Sequence, residues 1–311
     1  MRNGLRPEGL SLTLWRVLDG KPGHERQSEG LARALARRCE VAVHDIAAPP
    51  ARAALGWWLA GIFPPGAGLP DPDLIVGAGH ATHAALLAAR RARGGRAVVL
   101  MRPSLPLAWF DLCVIPGHDR PPARPNVLVT RGPLNPLAPG ERRGEEGLVL
   151  VGGPSAHHGW DGAAVLAAIG EVLAREPGRP WTVTTSRRTP PEFADAARVA
   201  LAGRARVVPW QETGPGWLPE RLARAAVAWV TEDSVSMAYE ALSAGAAVGL
   251  LPVPRRGRAG RVVHGIDELV AAGLAVRLAD WRAGAALRPP AEPLDEAGRC
   301  AGWILARWFG A

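Results

Sequence analysis

The stretch from residue 226 to residue 251 limits what this chain can fold into more than any other. A short apolar run at 226–230 has the length and character of a strand buried on both faces of a parallel sheet. The polar turn Thr231-Glu232-Asp233-Ser234 follows, then a segment with helical spacing, then Gly245 and a second apolar run at 248–251. Asp233 or Ser234 suits a helix N-cap, because a short side-chain oxygen takes up an orphan N–H of the first turn. Gly245 stands where a left-handed residue ends a helix. Strand, turn, helix and strand in this order make a βαβ unit, and the N–H groups at such a helix start favour an anion such as a phosphate. Asp233, Ser236 or Met237, and Glu240 fall at spacings that share one helix face. Glu240 then reads in two ways: it accepts from ribose hydroxyls below a bound phosphate, or it is a solvated acid on a capped helix.

The same pattern runs through the first half of the chain. An apolar strand at 12–18 leads into Asp19 and a loop with Gly20, Pro22 and Gly23, and a helix is expected over 29–38. The glycine spacing does not match a Walker A loop. Lys21 is the only lysine, and its retention among arginines points to a need for a compact ammonium. His24 is the strongest general-base candidate, since imidazole titrates near neutrality; the alternative is a loop histidine with a local hydrogen bond. A strand at 41–46 precedes the apolar segment 53–63, with Leu55, Trp57, Trp58, Leu59, Ile62 and Phe63. That segment reads either as a core helix or as a membrane-interface contact. A strand at 73–76 opens Gly77-Ala78-Gly79-His80-Ala81-Thr82-His83 and a helix over 84–93. The glycines permit close approach of a ligand but form an incomplete dinucleotide fingerprint. His80 and His83 lack the further ligands a zinc site needs, so no metal is expected. Strands at 96–101, 112–115 and 127–130 complete a parallel α/β sheet. In such sheets polar residues just after the strand ends line the crevice, which singles out Lys21, His24, His80, Arg102, Ser104 and His118.

Residues 133–146 read as an interdomain linker rich in Pro, Gly and charge. A second α/β unit starts with a strand at 148–151, after which Gly152, Gly153 and Ser155 offer N–H and hydroxyl donors suited to a diphosphate. A helix follows over 161–176 and a strand over 181–185, which ends in Ser186, Arg187 and Arg188. Arginines beside hydroxyls suit phosphate oxygens; a solvated basic loop is the alternative. A strand at 204–208 precedes Trp210 and Gln211, placed to stack on a base and read its edge, unless Trp210 only wedges loop against helix. A helix is expected over 265–272 and an amphipathic closing helix over 291–309, carrying Trp303 and Trp308.

Composition excludes several classes. An apolar content of 48% supports real cores and argues against disorder. The net charge of +8 arises in a chain whose basic residues, Lys21 apart, are all arginine. That skew accompanies abundant Ala, Gly and Pro and looks like genomic codon bias, so no nucleic-acid partner is expected. Cys39, Cys113 and Cys300 are far apart and suggest a reducing compartment. Residues 1–11 carry no apolar signal region, and no apolar run reaches spanning length. The expected location is cytoplasmic, with peripheral contact on the inner face of a membrane as a further option.

Several motifs together resemble a known family. They are Asp-Gly-Lys-Pro-Gly-His-Glu at 19–25, Gly-Ala-Gly-His-Ala-Thr-His at 77–83, Arg-Pro-Ser-Leu-Pro at 102–106, Gly-Gly-Pro-Ser at 152–155, Thr-Ser-Arg-Arg-Thr-Pro at 185–190 and Thr-Glu-Asp-Ser-Val-Ser-Met at 231–237. They resemble the bacterial members of the mitochondrial-fission family named for elongated mitochondria, whose plant members are linked to recruiting fission machinery. The stretch 230–252 is also similar to the donor-site motif of GT-B glycosyltransferases. The resemblance implies an α/β fold of two Rossmann-like parallel-sheet domains facing a cleft. Residues 1–135 would form the acceptor side, 147–290 the nucleotide-sugar side, and 291–311 a helix returning to the first domain. It implies metal-independent glycosyl transfer from a nucleotide-diphosphate sugar to an envelope glycan or lipid-linked acceptor, with no cofactor beyond the sugar nucleotide. His24 would be the base, with Lys21 and His80 shaping the acceptor side. Gly152, Gly153, Ser155, Ser186 and Arg187 would lie near phosphates, Trp210 and Gln211 near the base, Ser234 and Ser236 at the helix start, and Glu240 on the ribose. The alternatives are a nucleotide-sugar 2-epimerase and a non-catalytic, membrane-peripheral interaction protein.

Overall fold

The computed structural model describes residues 9–137, 144–214, 216–256, 261–292 and 294–311, with backbone only at 261 and 262. The chain divides into two compact units, Met1–Pro136 with Asp295–Ala311, and Leu137–Leu294. The expected linker at 133–146 lies partly outside the described residues; of the rest, Leu134 and Leu137 are buried and Glu146 already belongs to a strand.

The first unit is built on β1 (Ser11–Leu18), α1 (Pro22–Ala36), β2 (Glu40–Ala47), α2 (Ala51–Ala60), β3 (Leu74–Ala78), α3 (His83–Arg93), β4 (Arg96–Leu100), β5 (Leu112–Pro116) and β6 (Val127–Thr130). Its six strands are all parallel in the order β2-β1-β3-β4-β5-β6. Successive side chains of a strand point to opposite faces. Leu12 and Leu14 of β1 therefore enter one core with Leu31 and Leu35 of α1, while Trp15 and Val17 enter the other with Leu86 of α3. Burial on both faces explains why β3, β4 and β5 read as apolar runs rather than alternating ones, while the edge strands β2 and β6 stay partly exposed.

The second unit comprises β7 (Glu146–Leu150), α4 (Gly162–Arg175), β8 (Trp181–Thr184), α5 (Pro191–Ala200), β9 (Arg206–Val208), α6 (Trp217–Arg224), β10 (Ala225–Thr231), α7 (Val235–Ser243), β11 (Ala247–Leu251), α8 (Arg261–Ala271), β12 (Ala275–Arg277) and α9 (Leu278–Arg282). The sheet is again parallel, in the order β12-β11-β10-β7-β8-β9. Leu148, Leu150, Ala228 and Val230 face one core, and Val149, Val151, Val227 and Trp229 face the other. The closing helix α10 (Glu296–Trp308) belongs to the first unit, where Ala297, Cys300, Ala301, Ile304 and Leu305 pack on the α1 side of the sheet.

Four sequence expectations change. Helix α1 begins at Pro22, not at 29, because proline at the first helical position needs no N–H partner and sets φ for the helix. His24 thus sits in the first helical turn rather than in a loop. Helix α10 begins at Glu296, not at 291, since the Asp295 side chain caps it by accepting from Gly298 N at 2.8 Å. Helix α2 is not a core helix: Ala54 is its only buried residue. Helices α5, α6 and α9 and strand β12 were not legible as elements.

Candidate functional site

In an open parallel sheet, ligands bind beyond the carboxyl ends of the strands where the strand order reverses. In the first unit that point lies between β1 and β3, and each is followed by a glycine turn. The Asp19 side chain, 1% exposed, stands just after β1, and its Oδ2 lies 2.8 Å from His24 Nδ1. Its Oδ1 accepts from the Lys21 backbone N–H at 3.2 Å. After β3, Gly79 has φ of +83°, and a Cβ there would overlap the His24 ring. Glycine at 79 is therefore required twice, by its backbone and by the imidazole. In the tautomer that donates Nδ1–H to Asp19, the lone pair lies on Nε2. A ring held in this way can accept a proton on Nε2. Lys21 and His80 are exposed beside it. Of the other residues at strand ends, the Arg102 guanidinium donates to the Asp119 carbonyl at 2.9 Å, and Ser104 Oγ meets His83 Nδ1 at 3.3 Å. Met101, immediately after β4, has φ of +71°, a strained conformation for a residue with a Cβ.

His83 is buried, edge-on to Phe110. Burial, with a smaller contribution from neighbouring His80, lowers its pKa from 6.5 to about 4. Between these values the unfolded chain binds a proton that the folded chain does not, so stability falls as pH falls through that window. Replacing His83 with asparagine is expected to flatten the melting temperature against pH between 6.5 and 4. An unchanged acid limb would assign the loss to other groups.

In the second unit the strand order, counted from β7, is that of the dinucleotide-binding fold, and the switch point lies between β7 and β10. Asp233 dominates it. Its side chain is fully buried, and Oδ2 accepts from Gly153 N at 3.0 Å and from the Arg188 guanidinium at 2.6 Å. Arg188 also donates to the Gly153 carbonyl at 2.7 Å, and Thr231 Oγ1 accepts from Gly152 N at 2.8 Å. Asp233 is thus not the helix cap the sequence suggested. Ser234 holds the cap position of α7, without a side-chain cap bond.

This changes the reading of several candidates. The N–H groups of Gly152 and Gly153, expected to serve a diphosphate, donate to protein groups instead. Their lack of a side chain also serves packing, because a Cβ at 152 would overlap the Asp233 carboxylate and one at 153 the Arg188 carbonyl. Ser155 Oγ accepts from His157 N and His158 N at 3.2 and 3.1 Å and holds its own turn. Ser186 Oγ lies 3.1 Å from Thr189 Oγ1 and accepts from Arg188 N at 3.3 Å. Arg187 stacks over the Trp210 ring at 5.5 Å, and Trp210 N donates to Thr185 Oγ1 at 3.0 Å. Gln211 and Ser236 are exposed, whereas Ser234 and Glu240 are buried.

Sequence reading missed Asp19 as the partner of His24 and Asp233 as the partner of Arg188. It also missed Glu232, which takes Arg277 Nε at 3.0 Å, with Arg255 at 3.7 Å from its other oxygen. His158, 1% exposed, has a lowered pKa because burial outweighs the pull of Asp233 and Glu232. Its loop is strapped to the segment after β11 by Gly159 N to Pro254 O at 2.7 Å and Arg256 N to His157 O at 2.8 Å. Among the described residues, no group of three or more His, Cys, Asp or Glu is placed to hold a metal ion, and no helix is long and apolar enough to cross a membrane.

Two six-stranded parallel sheets, each flanked by helices, define a protein of the GT-B-like class. The chain belongs to the mitochondrial fission ELM1 family, whose model matches residues 22–308. Among solved structures, it is similar to a Listeria monocytogenes protein assigned as a UDP-N-acetylglucosamine 2-epimerase, with 12% identity, 97% of this chain and 98% of that chain covered, and a TM-score of 0.61. It is similar to the Neisseria meningitidis UDP-GlcNAc 2-epimerase bound to UDP-GlcNAc, with 13% identity, coverage of 97% and 100%, and a TM-score of 0.53. It is also similar to Phytolacca americana UGT2 complexed with UDP-2-fluoro-glucose and pterostilbene, with 10% identity, coverage of 95% and 90%, and a TM-score of 0.52. No curated protein matches the chain.

Proposed function

We propose that this protein binds a nucleoside-diphosphate sugar in its second unit and transfers the sugar, without a metal, to a hydroxyl of an envelope glycan or lipid-linked acceptor. The observation that carries the reading is the start of α7 at the β7/β10 switch point. Its first backbone bond of helical register is Ala238 N to Ser234 O, so the N–H groups of residues 235–237 precede the helical ladder. Such a start is an anion site. Buried Glu240 follows one to two turns further along the same helix, and we assign it to the ribose hydroxyls. Two buried atoms of this region, Asp233 Oδ1 and His158 Nδ1, have no hydrogen-bond partner among the described residues. Similar folds bound to UDP-GlcNAc or UDP-2-fluoro-glucose support the ligand class. In the transfer, the α7 start and the arginine-bearing loop after β8 would stabilise the departing diphosphate, and His24 would take the acceptor proton on Nε2.

The test is calorimetry of the full chain against UDP, GDP, CDP, ADP and their sugar conjugates, with magnesium or with a chelator. One diphosphate should bind saturably and equally under both conditions. Glu240→Gln should weaken it about tenfold, the effect of losing a charged hydrogen-bond acceptor. No binding by folded protein would sink the proposal. Diphosphate release that requires an acceptor separates transfer from 2-epimerisation, which needs none.

A further inference from the structure

Among the described residues, eight large apolar side chains are exposed, and five of them gather at one place: Leu55, Trp58, Leu59, Ile62 and Trp109. Leu55, Trp58 and Leu59 lie on α2 at spacings that form a single helix face, and Ile62 follows just after left-handed Gly61 ends the helix. That face looks away from the core, and Leu59 is 66% exposed. Between α2, α3 and the segment 105–109 runs a groove of about 720 Å³ lined by Leu55, Trp58 and Trp109 with Ala84, Leu87 and Leu105, and Leu59 stands on the same helix outside it. An apolar concentration of this kind marks an interaction surface.

The polar lining identifies the partner. It contains Arg90 and Arg91 and no carboxylate. Arg91 stacks over the Trp58 ring at 5.1 Å, which holds the guanidinium at the edge of the apolar face. Arg90 donates to the Trp109 carbonyl at 2.9 Å, and exposed Arg52 lies on α2 one turn before Leu55. Tryptophan and leucine flanked by arginine is the composition of a surface that sits in a lipid interface, with the rings at headgroup depth and the cations on phosphates. Arg90 is also paired with Asp111 at 3.3 Å, so Arg91 and Arg52 carry the charge of this face, and a symmetric contact between two copies would set these arginines against each other with no acid in the lining to neutralise them. We infer that the α2–α3 face of the first unit docks on an anionic phospholipid bilayer. The inference goes beyond the nucleotide-sugar reading and stands without it.

The experiment is co-sedimentation of the full chain with vesicles of phosphatidylcholine and phosphatidylglycerol, and with phosphatidylcholine alone. Binding to the anionic vesicles is expected, weakening as salt rises. Leu59→Asp should lower partitioning at least about tenfold, because an acid replaces an apolar group at the lipid contact. Arg91→Gln should weaken anionic binding in the same direction. Val199→Asp, at an exposed apolar position of the second unit, should bind like wild type. Melting curves check that each variant is folded. No sedimentation by wild type, equal binding to both vesicle types, or a Leu59→Asp variant that binds like wild type would overturn the inference. A wild-type dimer that Leu59→Asp converts to monomer, without vesicle binding, would assign the face to a second copy instead.

Discussion

His24→Ala should reduce transfer by about 10²- to 10⁴-fold, the contribution of a positioned general base, while nucleotide binding in the second unit stays within about twofold, a change below 0.5 kcal/mol. Three residues assembled at the β1/β3 switch point set this expectation. Asp19, buried after β1, holds Nδ1 of the ring at 2.8 Å. Gly79 clears the space the ring occupies. Pro22 starts α1 early enough that position 24 falls in its first turn. Asp19→Asn is the sharper test because it conserves volume. An asparagine amide that donates to Nδ1 would move the ring proton to Nε2, the atom that must be free to accept. Its loss of turnover should match that of His24→Ala. Gly79→Ala should lower turnover at least about tenfold and stability by about 1–2 kcal/mol, since it adds a Cβ in a left-handed conformation. Full turnover in either His24→Ala or Asp19→Asn would remove the dyad from catalysis. Both are to be measured with the donor and acceptor that calorimetry and turnover assays identify.

The fold was largely legible because doubly covered parallel strands write themselves as apolar runs ended by glycine or a polar turn. Residues 12–18, 112–115 and 248–251 stand out for that reason. Helices α5 and α6 were not legible. They are short, ten and eight residues, and bury only Phe193 and Ala197 in α5 and Leu222 in α6, so few apolar positions mark them. The segment 53–63 left two readings open, a core helix or a membrane-interface contact, and its apolar composition alone could not choose between them; the structure shows that Leu55, Trp58 and Leu59 face outward. In the candidate sites the chemistry-bearing residue types were readable, but their partners were not. His24 stood out as an imidazole after a strand, while Asp19 looked like a turn residue until the fold placed its oxygen on the ring. Gly152 and Gly153 had the look of a phosphate loop. Spacing alone cannot tell a glycine that admits a ligand from one that admits a neighbouring carboxylate, and here the neighbour is Asp233, some eighty positions away.

Asp233→Ala is expected to destabilise the second unit by about 2–4 kcal/mol. One carboxylate oxygen takes both the Gly153 N–H and the Arg188 guanidinium, in a side chain with no solvent exposure. Removing it leaves a buried N–H without a partner, which costs about 1–3 kcal/mol. It also opens a void against Gly152, whose missing Cβ leaves nothing to fill the space. Arg188 is 40% exposed and keeps its bond to the Gly153 carbonyl, so its loss is screened and contributes less than a fully buried pair would. Asp233→Asn separates these effects. It keeps the volume and one acceptor for Gly153 N, loses the charge, and should cost about half as much. The readout is calorimetric melting of the full chain. Each unit has its own cores, so the transition of the second unit should move and that of the first should not. Weaker nucleotide binding should accompany it, because the same carboxylate fixes the turn that starts α7. Unchanged melting in Asp233→Ala would show that the Thr231 hydroxyl and the Thr189 contacts hold the two turns together without it.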